Sequence, residues 1–318
     1  MQLDNSLWLV GSGGMAAAYA KVLLAQERAF AVIGRGSASA EAFEQNTGVS
    51  VRQGGLSDAI ATQGAPERAI IATPIGNLAA HARELIEAGT KALLIEKPAA
   101  LHSSEIRDLA EMAGRAGADV FIAYNRRFFT SVQHVRQMIE EDGGLLSFTF
   151  DFTEITERVL SRERPEEVLS RWLLANSSHV IDLAFHLGGI PKDWQAFTHG
   201  SLDWHPSAAV FTGAGITEKD AAFSYAANWS GPGRWGVELV TAKRRLILRP
   251  MERVAVVNAG SMDEEHPDFD YSLDTDYKPG IYLQTQAFLA GDSASLCDVS
   301  EQLDMMKVYE TIAAYPAS

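Results

Sequence analysis

The opening of the chain constrains it most. Leu7-Trp8-Leu9-Val10 is a short apolar run, and Gly11-Ser12-Gly13-Gly14-Met15-Ala16 follows it directly. An Ala/Leu-rich stretch over 16–28 with helical spacing comes next. Strand, glycine turn and helix in that order read as G-x-G-x-x-A. The first glycine makes the tight turn, the second lets backbone approach a pyrophosphate, and a small third residue lets helix and strand pack closely. Phosphates then sit at a helix N-terminus, where free amides and the helix dipole favour negative charge. Gly11, Ser12, Gly13, Gly14 and Met15 are therefore candidate dinucleotide contacts. The alternative is a plain glycine-rich turn.

The rest of the first third supports the motif. Apolar runs at 30–33, 69–72, 92–95 and 120–123 alternate with helical patterns at 38–46, 77–88 and 103–116. Such alternation implies right-handed crossovers and a parallel sheet covered on both faces. Beyond about residue 123 the texture changes. Residues 145–153 alternate apolar and polar, the mark of a strand with one wet face, and similar segments recur at 208–212, 221–229, 235–241 and 244–249. Helical patterns are expected near 178–187 and 298–314, and the acidic stretch 260–280 reads as an exposed loop. The predicted fold is α/β: an N-terminal Rossmann dinucleotide-binding domain over 1–122, then a C-terminal α+β domain over 123–318 with a large, mostly antiparallel open sheet.

Composition narrows the partners. Of 318 residues, 27 are Lys or Arg and 41 are Asp or Glu, for a net charge of −14. A chain this acidic is a poor match for nucleic acid or an anionic membrane surface. Anionic small ligands are not excluded, because a few arginines and helix N-termini bind phosphate locally. The single cysteine permits neither an intrachain disulfide nor a thiolate zinc cluster. No metal is expected. Without a long apolar run or a basic leader, the reading is a cytoplasmic protein.

The second strand bears on which dinucleotide is bound. An NAD site usually carries an acidic residue there, accepting from the ribose hydroxyls. Here Phe30-Ala31-Val32-Ile33 runs into Gly34-Arg35-Gly36-Ser37 with no carboxylate. A missing acid removes repulsion against a 2′-phosphate, while Arg35 supplies a planar cation and Ser37 a hydroxyl donor. Gly34, Arg35 and Ser37 thus point to NADP(H) in preference to NAD(H), unless Arg35 is only a solvated turn residue. Farther on, Thr73-Pro74 ends one strand and Leu78 lies just beyond; Glu96-Lys97-Pro98 ends the next. Residues beyond the carboxyl ends of such strands face the ligand crevice.

These motifs, followed by Ala123-Tyr124-Asn125-Arg126-Arg127-Phe128, occur in an order and spacing that resembles the glucose-fructose oxidoreductase, inositol dehydrogenase and rhizopine catabolism (Gfo/Idh/MocA) family. The resemblance spans essentially the whole chain. It implies a two-domain NAD(P)-dependent oxidoreductase acting on a sugar, cyclitol or nucleotide sugar. Lys97 takes the position beside the nicotinamide and the reacting oxygen; Thr73, Pro74, Leu78, Glu96, Lys97 and Asn125 fall among the implied cofactor contacts. A positioned cation stabilises developing alkoxide charge and relays the proton.

The family's second domain contributes a histidine, often with an aspartate four residues earlier on the same helical face. Literal spacing picks Asp182 and His186. The context His179-Val180-Ile181-Asp182-Leu183 followed by Gly189-Ile190-Pro191 picks His179 instead, and we follow it. Ala175 then stands where the family has its aspartate, with Asn176 beside it. The resemblance therefore makes Lys97, His179 and Asn176 the expected catalytic set, and Lys97, Arg126, Asn176, His179 and Arg234 the expected substrate contacts. Arg126 is equally open to interdomain pairing. In Asn228-Trp229-Ser230-Gly231-Pro232-Gly233-Arg234-Trp235, two indoles and a guanidinium either clamp a ring-shaped or anionic substrate or pack beneath the sheet. Competing functions are an NAD-dependent polyol or inositol-type dehydrogenase, an imine or enone reductase of the same fold, and a non-catalytic NAD(P)-binding regulator. A homodimer or homotetramer through the second-domain sheet is expected.

Overall fold

Two sheets account for the architecture of a computed structural model, which describes residues 6–316. Compact packing divides the described residues into two units, the first holding 6–124 together with Ile281–Asp304, the second Asn125–Gly280 together with 305–316. A single cut at 122/123 therefore misses the return of 281–304 to the first unit.

In the first unit β1 (Leu7–Val10), α1 (Gly14–Ala25), β2 (Ala31–Ile33), α2 (Ser37–Thr47), β3 (Val51–Arg52), α3 (Leu56–Gln63), β4 (Arg68–Ile71), α4 (Ile75–Glu87), β5 (Ala92–Glu96), α5 (Ser103–Ala116) and β6 (Asp119–Ala123) alternate along the chain. The sheet order is β3-β2-β1-β4-β5-β6, with every pairing parallel. Each strand is covered on both faces, which is why Leu7, Trp8, Leu9 and Val10 are all buried and the run reads apolar without alternation. Strand order reverses between β1 and β4, and the crevice at that switch point is where such sheets bind ligands.

The second unit begins with a short 3₁₀ turn at Asn125–Phe128. It continues through α6 (Thr130–Glu141), β7 (Ser147–Phe152), α7 (Thr156–Leu160), α8 (Glu166–Ser170), a π-helical turn at Leu173–Ser177, and α9 (Ser178–Gly188). Then come β8 (Pro191–His199), β9 (Val210–Thr217), β10 (Ala222–Asn228), β11 (Trp235–Val240), β12 (Arg244–Leu248), β13 (Ala255–Asn258) and α10 (Ser272–Asp276). The seven strands run β13-β12-β11-β7-β10-β9-β8; only the β7–β10 pair is parallel. Phe148, Phe150 and Phe152 of β7 share one face, and Phe185 of α9 packs at 6.0 Å and 5.4 Å from the first two rings. Gly188 makes this possible, since a Cβ there would come 2.1 Å from the Phe148 ring. The expected open, mostly antiparallel sheet is present.

The chain closes with α11 (Ile281–Ala290), β14 (Cys297–Asp298) and α12 (Val299–Ala313). β14 adds antiparallel to β6 at the edge of the first sheet. Sequence patterning passed over β8, an edge strand opened by a proline, because its side chains are largely exposed and lack an apolar phase. The 260–280 stretch is not loop alone: Asp274 is buried, and its carboxylate accepts from the Thr130 and Gly280 amides at 2.7 Å and 2.8 Å. No helix among the described residues is long and apolar enough to cross a membrane.

Candidate active site

In the first unit, Gly11 leaves β1 at φ +123, where a Cβ would come 2.4 Å from the Ala72 carbonyl oxygen. Only glycine lets the two turns at the switch point approach so closely. Around Gly13 and Gly14 the opposite holds: a Cβ would meet nothing within 4 Å, so the backbone is open on that side. α1 starts at Gly14 with no side chain capping its amides and no acidic residue in its first turn. Unfilled donors, open space and the positive helix end are what a pyrophosphate requires, so these residues fit a dinucleotide.

At the end of β2, Gly34 is buried while Arg35, Gly36 and Ser37 are exposed. Ser12 Oγ donates to Ser39 Oγ at 3.0 Å, tying the glycine turn to α2. Burial lowers the His81 pKa, Glu84 opposes this, and the Arg35 charge adds to it, so the Arg35 guanidinium lies within electrostatic reach of α4. Thr73 Oγ1 is 3.1 Å from His81 Nδ1. Leu78 requires a correction, because its side chain is fully buried in α4 and presents no surface to a ligand.

Glu96 and Lys97 are both partly exposed at the end of β5. The Tyr19 hydroxyl donates to Glu96 Oε1 at 2.9 Å, and its own pKa is raised by burial first and by the Glu96 charge second. The Ala99 amide closes the turn onto the Glu96 carbonyl at 3.0 Å, and Gln302 donates to the Pro98 carbonyl at 3.2 Å. Lys97 thus leaves a turn braced on both sides.

The second unit holds the remaining candidates. His179 is buried in the first turn of α9. Asp182 and His186 do other work. Asp182 forms a buried two-point pair with Arg127, Nε to Oδ2 at 2.9 Å and Nη2 to Oδ1 at 2.5 Å. Burial, then the Arg127, Arg136 and Lys219 charges, push the His186 pKa down to about 2, so it stays neutral. Asn125 donates its amide to the Pro279 carbonyl at 2.8 Å, a bond within the second unit that holds the 279–280 turn.

Asn176 lies in the π-helical turn and donates to both oxygens of Glu154, at 2.9 Å and 3.1 Å. Ser177 donates to the same carboxylate at 2.6 Å. A carboxylate only accepts, so the Asn176 NH₂ must face Glu154 and its carbonyl oxygen must face away. Sequence reasoning overlooked Glu154. It continues the phase of Phe148, Phe150 and Phe152 onto the buried face, and a carboxylate in an apolar phase was the available signal.

Glu154 and Asn176 line a cavity of about 500 Å³ with Trp172, Trp235 and four arginines, Arg158, Arg162, Arg164 and Arg234. The two indoles of the 228–235 turn part company here. Trp229 is buried, donates to the Phe152 carbonyl at 3.2 Å and stacks 5.5 Å from Trp204, whereas Trp235 faces the cavity. Arg126 sits 5.0 Å over the Trp235 ring, within the second unit. Arg171 lies over Tyr315 at 5.0 Å.

Residues 6–124 match the Gfo/Idh/MocA family, described as an oxidoreductase family with an NAD-binding Rossmann fold. The likeness to this family is therefore that of the nucleotide-binding domain, residues 6–124. A curated relative, the NADP(+)-dependent scyllo-inositol 2-dehydrogenase IolW of Bacillus subtilis (strain 168), is 26% identical over 166 residues, 47% of this chain. The match spans 46% of that relative, so the chain covers less than half its length. Solved structures extend the likeness further. UDP-N-acetylglucosamine 3-dehydrogenase GnnA from Acidithiobacillus ferrooxidans superposes with a TM-score of 0.75 at 17% identity, over 97% of this chain and 96% of that one. An Agrobacterium radiobacter oxidoreductase in complex with NAD+, L-tartaric acid and magnesium gives 0.75 at 14% identity, over 99% and 97%. At such identities the likeness speaks for the fold.

Proposed function

We propose that this chain is an NADP(H)-dependent oxidoreductase interconverting a ketone and a secondary alcohol on a sugar, nucleotide sugar or cyclitol. The end of β2 carries the cofactor preference: exposed Arg35 and Ser37 stand where an NAD site would carry an acid. The names of similar proteins include both NADP(+) and NAD+, so likeness to them alone does not choose. When bound, the nicotinamide supplies or takes the hydride.

The chain's own residues do the rest. Amides at the start of α1 hold the pyrophosphate. Lys97 gives or takes the proton at the reacting oxygen and stabilises negative charge developing there. His179 assists that transfer. With its NH₂ held by Glu154, Asn176 offers its carbonyl oxygen to a substrate hydroxyl. Arg234 and Arg126 belong to the substrate side, Arg126 by setting the Trp235 ring.

The protein acts in the cytoplasm as a homodimer or homotetramer through its second sheet. Phe197 and Ile216, 59% and 47% exposed on adjacent strands β8 and β9, supply apolar surface for that contact.

Fluorescence titration with NADPH and with NADH tests the central reading. NADPH should bind more tightly, and Arg35→Ala should erase most of the difference by weakening NADPH alone. An unchanged ratio in that variant sinks the preference. Tighter NADH binding turns the reading toward NAD-dependent polyol oxidation, and no binding of either toward a non-catalytic role.

A further inference from the structure

The cavity of the second unit is an electrostatic anomaly. The chain carries a net charge of −14, yet four arginines and a single carboxylate line this one space. That carboxylate, Glu154, is already engaged by Asn176 and Ser177. Among the described residues none of the four arginines makes a salt bridge. Arg52, Arg83, Arg115, Arg127, Arg244 and Arg245 all do. In a protein with acids to spare, four guanidiniums around one cavity without a salt bridge keep positive charge available to a ligand.

The arrangement is also partly pre-formed. Arg164 donates to the Val159 and Arg162 carbonyls and stacks 4.7 Å over the Trp172 ring, so its plane is held before anything binds. Arg234 donates to the Arg249 carbonyl at 3.2 Å. Burial pulls the Arg164 pKa down, the neighbouring Arg162 charge adds to the effect, and the Glu154 charge opposes both only in part, so a bound anion would relieve the remaining repulsion. Guanidinium remains charged at any working pH and meets phosphate oxygens two at a time.

We propose that this cavity binds a phosphate or diphosphate group carried by the substrate, making the substrate a phosphorylated carbohydrate and not a neutral polyol. The inference rests on the oxidoreductase reading above and narrows its substrate class. A lone carboxylate is satisfied by one two-point arginine. Four guanidiniums against one engaged carboxylate suit a group of charge −2 or greater. Trp172 and Trp235 then offer flat apolar surface to the ring that carries it.

Titration calorimetry on the full chain at low salt, saturated with NADPH, tests this with pyrophosphate, UDP, glucose 6-phosphate, gluconate and glucose as probes. Pyrophosphate and at least one organic phosphate should bind, and the double variant Arg162→Ala with Arg234→Ala should weaken them tenfold or more. The matching lysine pair, Arg162→Lys with Arg234→Lys, should recover part of the affinity, separating lost charge from lost folding. UDP far tighter than glucose 6-phosphate identifies a nucleotide sugar; the reverse identifies a sugar monophosphate. No phosphate binding by the native chain, binding that the alanine pair leaves unchanged, or binding of gluconate alone would overturn the proposal. NADPH affinity, read separately by fluorescence in both proteins, reports on the oxidoreductase reading. Retained NADPH binding without phosphate binding defeats only the present inference. Absent NADPH binding defeats the former, and the titrations are then run without it.

Discussion

Lys97 and Glu154 show how differently two residues declare themselves. Lys97 is legible from Glu96-Lys97-Pro98 at a strand end, because its place follows from local sequence and from the crevice rule. Replacing it with alanine should lower kcat roughly 10²- to 10⁴-fold, the usual worth of a positioned proton-transfer group, while leaving NADPH affinity nearly intact. Steady-state kinetics beside a fluorescence titration read both, and an unchanged kcat removes Lys97 from proton transfer. Glu154 carries no motif; its role exists only once the turn at 173–177 brings Asn176 and Ser177 to it. Glu154→Ala strands two donors, of which Ser177 is fully buried, and should cost about 1–3 kcal/mol of stability. Urea denaturation measures that cost. Glu154→Gln keeps an acceptor, so it should cost less while still loosening Asn176, which would show as a raised KM.

At the scale of elements, the π-helical turn that presents Asn176 is held from behind by a buried chain of hydrogen bonds. Tyr315 accepts from the Leu173 amide at 3.2 Å and donates to His205 Nε2 at 2.8 Å. His205 Nδ1 therefore carries the proton and donates to the Ala208 carbonyl at 2.8 Å. Burial holds the His205 pKa down at about 4, against about 6.5 in an unfolded chain. Below pH 6.5 the unfolded chain takes up a proton that the folded chain refuses. The stability this group contributes is thus present above pH 6.5 and lost as pH falls toward 4, about 3 kcal/mol in all. Urea midpoints at pH 7.5, 5.5 and 4.5, compared with His205→Gln, isolate the effect. The variant should lose that part of the slope, and a parallel slope in both proteins refutes the assignment. Neither His205 nor Tyr315 stands in a recognisable pattern, since they lie far apart in sequence and meet only through the fold.

For the whole molecule, the second sheet leaves Phe197 and Ile216 exposed on its outer strands. Phe197→Asp with Ile216→Lys should shift the protein toward monomer in light scattering at micromolar concentration, with secondary structure retained; a native chain that is already monomeric defeats the assembly outright. The sheets themselves were largely readable beforehand. Parallel strands buried on both faces must be apolar throughout, and β7 must alternate, so their periods announce them. The glycine turn and the missing acid after β2 were equally legible, because a dinucleotide's phosphates are met by backbone within one short segment. Other features depend on contacts between residues remote in the chain. The return of 281–304 to the first unit joins a two-residue strand, too short to carry a period, to contacts of α11 with α1, such as the Gln26 side-chain amide donating to the Tyr282 carbonyl at 3.0 Å. Edge strand β8 hides because exposed side chains need no phase. The Arg127–Asp182 pair settles the use of a carboxylate that spacing alone had offered to His186. The cavity collects arginines from two distant segments; Arg234 stood in a turn the sequence already marked, whereas Arg158, Arg162 and Arg164 lie in a stretch that looks merely polar. Local backbone chemistry and periodic burial are written residue by residue along a sequence; which charges end up sharing a space is decided by packing, and packing exists only in three dimensions.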